Sequence, residues 1–356
     1  MLKYGLIGGG LLCTKLYFMG GVNHHNPDLS GKTVLVTGGN SGIGKEAARR
    51  FYELNADVII TGRSSKKAKE FLKELKRPSD KQKEMEFVQV DFSDLKQVKQ
   101  FAEALKGKHD KLDLLVNNAG CSFTKYRADN GIELQMKINH LAPTYLTSQL
   151  LPLLENAGEA RIVTLSSLGH KGPNSAFVGG AMEPNFEHYW DQTVPAYEPV
   201  FSYCQSKLAN LFFTSGLQQY LDKHKAAAEG SKGSRRKGKV EQAPKTKRKI
   251  KTVCLHPGVV DTGLFRGLED VIPFFGFVEL LMKPVVFTFM KSSLDGAQTT
   301  MYCSLCPFER LQAGEYYADC RVAEKSHFAQ DQKNVDRCWE MTNEKIKELT
   351  GETIFE

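Results

Sequence analysis

Cysteine is sparse and scattered in this chain. Its 8 cysteines, Cys13, Cys121, Cys204, Cys254, Cys303, Cys306, Cys320 and Cys338, are spread over 356 residues, far below the density of a disulfide framework. Cys303-x-x-Cys306 lies in TTMYCSLCPFE, which continues a helical pattern, and no second ligand pair stands nearby at zinc spacing. Plain reduced thiols, mostly buried, are the expectation. A long uninterrupted apolar run is also missing. Residues 4–22 are mostly apolar, but Lys15 and three consecutive glycines break them, and about 20 apolar residues are needed to span a bilayer. The segment lacks the small-residue cleavage site of a signal peptide and the Arg and Ser content of a mitochondrial presequence. Residues 1–27 are therefore read as a hydrophobic segment that anchors at a membrane or its interface, with a docked N-terminal helix and a targeting signal as alternatives. Internal repeats are absent.

The net charge of +7 belongs to one place. Residues 223–251, KHKAAAEGSKGSRRKGKVEQAPKTKRKIK, carry 12 Lys/Arg against 2 Glu, more than the entire surplus. The remainder is mildly acidic, which argues against a nucleic-acid surface on the folded body. Low complexity and few apolar side chains predict an exposed, mobile insert there, or an electrostatic contact with anionic lipid or an acidic partner.

From residue 31, short β-branched runs alternate with helical stretches. Strands are expected at 32–38, 57–62, 86–92, 112–120, 160–167 and 251–258. Helices are expected at 41–54, at 65–77 and after 92, the last capped by Ser93 and stopped near Gly107. Near-continuous apolar strands joined by helical crossovers indicate an α/β fold: a Rossmann-type doubly wound parallel sheet in three layers, spanning 28–356 as one domain with insertions. Two further stretches stand out: a long loop at 168–200, and 263–303, an apolar stretch broken by Pro273, Glu279, Lys283 and Pro284 that suits a hydrophobic lid or membrane-docking flap.

TGGNSGIG (37–44) follows the first strand and opens the first helix. Gly38, Gly42 and Gly44 permit a sharp turn and bring backbone N–H groups against a phosphate at the helix N-terminus. Gly38, Asn40, Ser41, Gly42, Ile43 and Gly44 are thus predicted cofactor contacts. After the second strand, an acidic residue would hold a ribose 2′-hydroxyl and an arginine would accommodate a 2′-phosphate. The chain has Thr61-Gly62-Arg63 with Lys66 and Lys67 behind and no carboxylate, so NADP(H) is favoured over NAD(H). Asp91 is placed to meet the adenine amino group, and Asn118, Ala119 and Gly120 to lie along the cofactor.

FSYCQSKL (201–208) sets Tyr203 and Lys207 one helical turn apart on a common face. An ammonium that lowers the pKa of a phenol could make it a working acid. TGGNSGIG, NNAG (117–120), Asn139 in KINHLAP, Ser167 in IVTLSS, YCQSK (203–207) and HPG (256–258) stand in the order shown by short-chain dehydrogenases/reductases, and the chain resembles that superfamily. INHLAPTYLTSQLLPLL, SYCQSKLANLFF, HPGVV, DGAQTTMYCSL and GEYYADCRVA are similar to its retinol dehydrogenase branch. The resemblance implies that Tyr203 exchanges a proton with the substrate oxygen, while Lys207 lowers its pKa and holds the nicotinamide ribose. It further implies that Ser167, rather than Ser166, hydrogen-bonds the carbonyl and that Asn139 keeps a water in a relay to Lys207. Pro257, Gly258 and Thr262 would contact the nicotinamide end.

The expected activity is interconversion of a lipophilic alcohol with its aldehyde or ketone. The expected setting is a membrane met through residues 4–22 and 263–290, that of the endoplasmic reticulum first and the mitochondrion as alternative. A homodimer or membership of a larger complex are the expected assemblies. The 36 residues from Ser167 to Tyr203 and the 223–251 insert depart from the branch. They keep open a second reading, a cofactor-binding accessory subunit of a larger assembly. His170 and His188, in the longer loop, are read as packing or solvated residues.

Overall fold

The computed structural model describes residues 19–76, 83–122, 125–172, 184–191, 199–230, 249–260 and 290–355. Residues 1–18, 173–183, 192–198, 231–248 and 261–289 lie outside them, and with them Thr262, most of the N-terminal segment, the core of the basic insert and about two thirds of the expected lid 263–303, whose described end, from Ser293, is a helix packed into the core rather than a lid.

Apolar runs become the strands of one twisted sheet. β1 (Thr33–Val36), β2 (Asp57–Gly62), β3 (Glu86–Gln89), β4 (Leu114–Asn117), β7 (Glu159–Leu165), β8 (Lys249–Leu255) and β9 (Tyr316–Ala318) are parallel, and β10 (Arg321–Val322) closes the edge antiparallel to β9. A separate small hairpin pairs β5 (Ala128–Asp129) with β6 (Ile132–Glu133). The strand order β10-β9-β8-β7-β4-β1-β2-β3 reverses direction of growth between β1 and β4, where a crevice opens at the strands' C-terminal ends.

Helices cover both faces, so neighbouring residues of one strand enter different cores. Val34, Val36, Val58 and Ile60 pack with Phe51 of α1 (Gly42–Glu53), Phe71 of α2 (Ser65–Glu74) and Met301 of α6 (Ser293–Leu305). Leu35, Ile59 and Leu115 point the other way. They meet Phe101 of α3 (Leu95–Lys108), Leu150 of α4 (Ala142–Asn156), Phe213 of α5 (Pro199–Gly230) and Ile346 of α7 (Gln332–Thr350). Each such side chain contributes about 1.5–3 kcal/mol of transfer free energy. The two-sided burial is why the strands read as continuous apolar runs rather than alternating ones.

Several boundaries differ from the sequence reading for local reasons. Asp94, not Ser93, caps α3: its carboxylate accepts from the N–H groups of Lys96 and Gln97 at 2.9 and 3.4 Å. Ser93 instead donates through both its N–H and its hydroxyl to Asp91 Oδ1. The helix ends at Lys108, beside Gly107 as expected, with His109 as its C-cap. The basic insert is shorter than its composition suggests, because α5 continues to Gly230 and Lys249 already begins β8. The GEYYADCRVA stretch adds β9 and β10, two strands beyond the six that periodicity indicated. Residues 19–30 cross from this edge to α1: Asn23 N–H donates to Gln298 of α6, and Arg50 of α1 donates to Asn26 Oδ1.

Candidate active site

The turn after β1 is held from beneath. Thr37 Oγ1 accepts from the N–H groups of Asn118 and Ala119 at 3.0 and 2.9 Å, and Asn118 Nδ2 donates to the Thr37 carbonyl at 2.8 Å. These bonds lock the ends of β1 and β4 together across the switch point. Gly38 has φ +65°, a conformation a side chain disfavours. A methyl on Gly44 would lie 2.4 Å from Asn118 Nδ2 and 2.6 Å from the Gly38 carbonyl, so only glycine lets α1 start this close to the β4 turn. Ser41, the N-cap residue of α1, makes no side-chain cap, which leaves the helix's first N–H groups facing the crevice for an anion. Asn40 is turned aside to the Ser64 carbonyl at 3.0 Å, over Gly62, and Ile43 packs against the α1–α6 core.

The far end of the crevice is cationic. Arg63 is exposed and makes no ion pair among the described residues, and Lys66 and Lys67 beside it are exposed as well. Asp91 is half-buried, with Oδ1 engaged by Ser93.

The other end gathers Ser167, Tyr203, Lys207, Asn139 and Gly120. Ser167 stands beside the Tyr203 phenol, close enough to favour its ionised form, and Lys207 Nζ lies 5.6 Å from the Tyr203 ring centre. The two serines have separate employments. Ser166 Oγ donates to the Lys207 carbonyl at 2.7 Å and is buried, whereas Ser167 caps the short turn Leu168–Lys171 and faces Tyr203. A methyl on Gly120 would sit 3.2 Å from Asn139 Oδ1 and 3.3 Å from Lys207 Nζ. Gly120 is exposed, and any side chain there would crowd Asn139 and Lys207.

Asn139 lies in a π-helical segment, Lys137–Leu141, that leads into α4. Its side chain is fully committed: Oδ1 accepts from Cys121 N–H at 2.8 Å, and Nδ2 is shared between the Cys121 carbonyl and Ser206 Oγ, both at 2.9 Å. It clamps the β4 turn to α5, so a relay water would have to use the backbone that the π-segment loosens.

Electrostatically, the pair differs from the sequence expectation. Burial pushes Tyr203 up to about 12, opposed by the neighbouring Ser167 side chain, and Lys207 is not among the groups that shift it. Burial pushes Lys207 down to about 8, and its Nζ donates to the Leu165 carbonyl at 3.3 Å. The phenol keeps its proton at neutral pH, and the ammonium lies within reach of losing one. Cys121, next to the site, is pushed up to about 12 by burial, which leaves a thiol rather than a thiolate nucleophile.

Sequence reasoning missed Thr37, Ser206 and Asn210. Asn210 donates to the same Leu165 carbonyl as Lys207, at 3.1 Å, and its place three residues beyond Lys207 was the available signal. Of the predicted contacts, Pro257 and Gly258 follow β8, while Thr262 falls outside the described residues. A polar cleft of about 570 Å³ between α5 and residues 313–335, lined by Gln218, Glu315 and Lys325, contains none of these groups.

Comparisons with known proteins agree with this geometry. Residues 32–179 match the short chain dehydrogenase family. The bovine (Bos taurus) retinol dehydrogenase 12 is 30% identical over 329 residues, covering 92% of this chain and 90% of the relative. A solved structure of an uncharacterized protein from Mycobacterium paratuberculosis superposes with a TM-score of 0.64 at 25% identity, covering 95% and 99% of the two chains. A short chain dehydrogenase from Burkholderia cenocepacia in complex with NADP gives 0.55 at 22% identity over 81% and 96%, a likeness of fold. With the glycine turn at the switch point and the Ser167–Tyr203–Lys207 cluster at its other end, the chain belongs to the short-chain dehydrogenase family, as an oxidoreductase related to the retinol dehydrogenases.

Proposed function

We propose that the protein is an NADP(H)-dependent oxidoreductase that interconverts a lipophilic alcohol and its aldehyde or ketone, with Tyr203 as general acid and base. The observation that carries the reading is the convergence of Ser167 and the Tyr203 phenol beside the buried Lys207, next to the exposed Gly120. When bound, a nicotinamide dinucleotide supplies or accepts the hydride. Arg63, Lys66 and Lys67 would hold its 2′-phosphate, Ser41 to Gly44 its pyrophosphate, and Lys207 its ribose. Arg63, unpaired among the described residues, supports NADP(H) over NAD(H), as does the NADP held by a structural neighbour.

In the direction of reduction, Tyr203 donates its proton to the carbonyl oxygen as negative charge builds there. Ser167 donates a hydrogen bond to the same oxygen, and each such donor lowers the barrier by about 3–4 kcal/mol. Lys207 stabilises the tyrosinate that results and returns a proton to it. Because burial holds Tyr203 near 12, the acid is loaded at neutral pH, which favours reduction over oxidation there.

The lipophilic substrate class rests on the retinol dehydrogenase relatives and on the apolar residues 4–22 and 263–290. Through those segments the protein would meet a membrane, that of the endoplasmic reticulum first. The test is NADPH oxidation by purified protein with all-trans-retinal and with decanal, each repeated with NADH. Turnover with NADPH and at least one carbonyl is expected, and failure across a broad carbonyl panel overturns the reading.

A further inference from the structure

We propose that His170 is a positioning residue for Ser167, braced by a His170–Tyr316–His256 ring cluster that ties the Ser167 turn to the Pro257–Gly258 turn. The inference rests on the role given to Ser167 and Tyr203 above, and it concerns what holds that serine in place.

His170 lies three residues after Ser167 and is 1% exposed. Both ring nitrogens are used. Nδ1 is 2.7 Å from the Ser167 carbonyl, to which it can only donate, and Nε2 accepts the Ser326 N–H at 3.3 Å. One donor and one acceptor define the neutral Nδ1–H tautomer. The environment agrees, because burial pushes His170 down to about 4 against the bond to the Ser167 carbonyl, with the Lys171 charge working in the same direction as burial. A ring so committed has no free lone pair for a substrate proton, so a role as general base is excluded.

The ring joins elements distant in sequence. Its centre lies 4.5 Å from that of Tyr316, on β9, with the planes tilted by 60°, and the Tyr316 ring lies 5.9 Å from that of His256 with the planes 24° apart. His256 Nδ1 accepts from Gly258 N–H at 2.9 Å, so it grips the turn after β8 as His170 grips the turn after β7. Burial pushes His256 down to about 4 as well, which keeps both rings neutral. Ser167 faces the reacting oxygen in this reading and Gly258 the nicotinamide end. The ring cluster therefore fixes the spacing between proton-side and hydride-side groups, where an error of about 1 Å costs on the order of 100-fold in rate.

The test is decanal reduction with NADPH by wild type, Ser167→Ala, His170→Phe, His170→Asn and the Ser167→Ala/His170→Phe double variant. His170→Phe keeps the stacking surface and loses both hydrogen bonds, and its kcat should fall by about 100-fold with NADPH affinity unchanged. His170→Asn restores an N–H donor near the Nδ1 position and should recover most of that loss. The double variant should be no slower than Ser167→Ala alone, since His170 acts through that serine. Should the phenylalanine variant not fold, Ser326→Pro serves in its place. It removes the N–H that Nε2 accepts at a residue whose φ of −58° already suits proline. Wild-type kcat in His170→Phe, no recovery in His170→Asn, or losses that multiply in the double variant overturn the proposal. Wild-type kcat in Ser167→Ala overturns the underlying reading of the site and is recognised separately by that single variant.

Discussion

At the scale of single residues, the site depends on which groups have been emptied of other duties. Ser166 is spent on the Lys207 carbonyl and Asn139 on Cys121 and Ser206, whereas Arg63 has no partner among the described residues. Replacing Arg63 with alanine should therefore cost little stability. A bidentate phosphate contact is charge-assisted, worth about 1.5–3 kcal/mol, so NADPH affinity should drop by roughly ten- to a hundredfold while NADH affinity stays as it was. Equal weakening of both cofactors, read by fluorescence titration, would remove Arg63 from 2′-phosphate recognition. Lys207 gives a second prediction. Burial lowers it from 10.5 to about 8, so its charge is present below that pH and lost above it. If the ammonium is the form that stabilises tyrosinate, kcat for reduction should be level at neutral pH and fall as pH passes about 8. A profile still flat at pH ~10, where even an unperturbed lysine begins to titrate, would show that the charge is not used.

At the scale of elements, packing decides where α5 can lie. A methyl on Gly216 would stand 2.7 Å from Cε3 of Trp339, so α5 and α7 approach each other through a glycine against an indole face. Gly216→Ala gains helix propensity but must displace a ring that is also stacked on Phe213 and Phe355. Overpacking of this kind costs about 1–3 kcal/mol, so the melting temperature should fall; a rise would mean that Trp339 shifts freely. Legibility in the sequence divides along the same line. β2 was readable to the residue because DVIITG is bounded by turn-forming sequence, and the glycine loop announced itself by local spacing. The clamp made by Asn139, the Trp339–Gly216 contact and the brace at His170 each join residues far apart in the chain. No period or spacing encodes such contacts. His170 looked like a loop residue because its partners, Ser326 and Tyr316, come about 150 residues later. β9 and β10 escaped periodicity because strands of three and two residues are too short to show any.

At the scale of the whole molecule, two buried histidines, His140 and His170, fasten C-terminal residues to earlier elements, and the partly buried His256 joins two C-terminal elements. His140 meets Thr342 at 3.0 Å, His170 meets Ser326, and His256 stacks on Tyr316. Burial pushes each of them from 6.5 down to about 4. The folded protein thus keeps them neutral where the unfolded chain takes up protons, so the unfolded state binds more protons over that range. Their contribution is intact above pH 6.5 and is lost as pH falls towards 4. The urea midpoint should be lower at pH 5 than at pH 7, and an unchanged midpoint would contradict the lowered pKa values of the three rings.

The account turns on Tyr203 carrying the proton to the substrate oxygen. The direct measurement is decanal reduction by Tyr203→Phe, with NADPH affinity determined on the same sample. Phenylalanine keeps the ring beside Lys207 and removes the hydroxyl that meets Ser167. Turnover should fall by about 100-fold or more while NADPH binds as in wild type. Wild-type turnover in that variant would contradict the account.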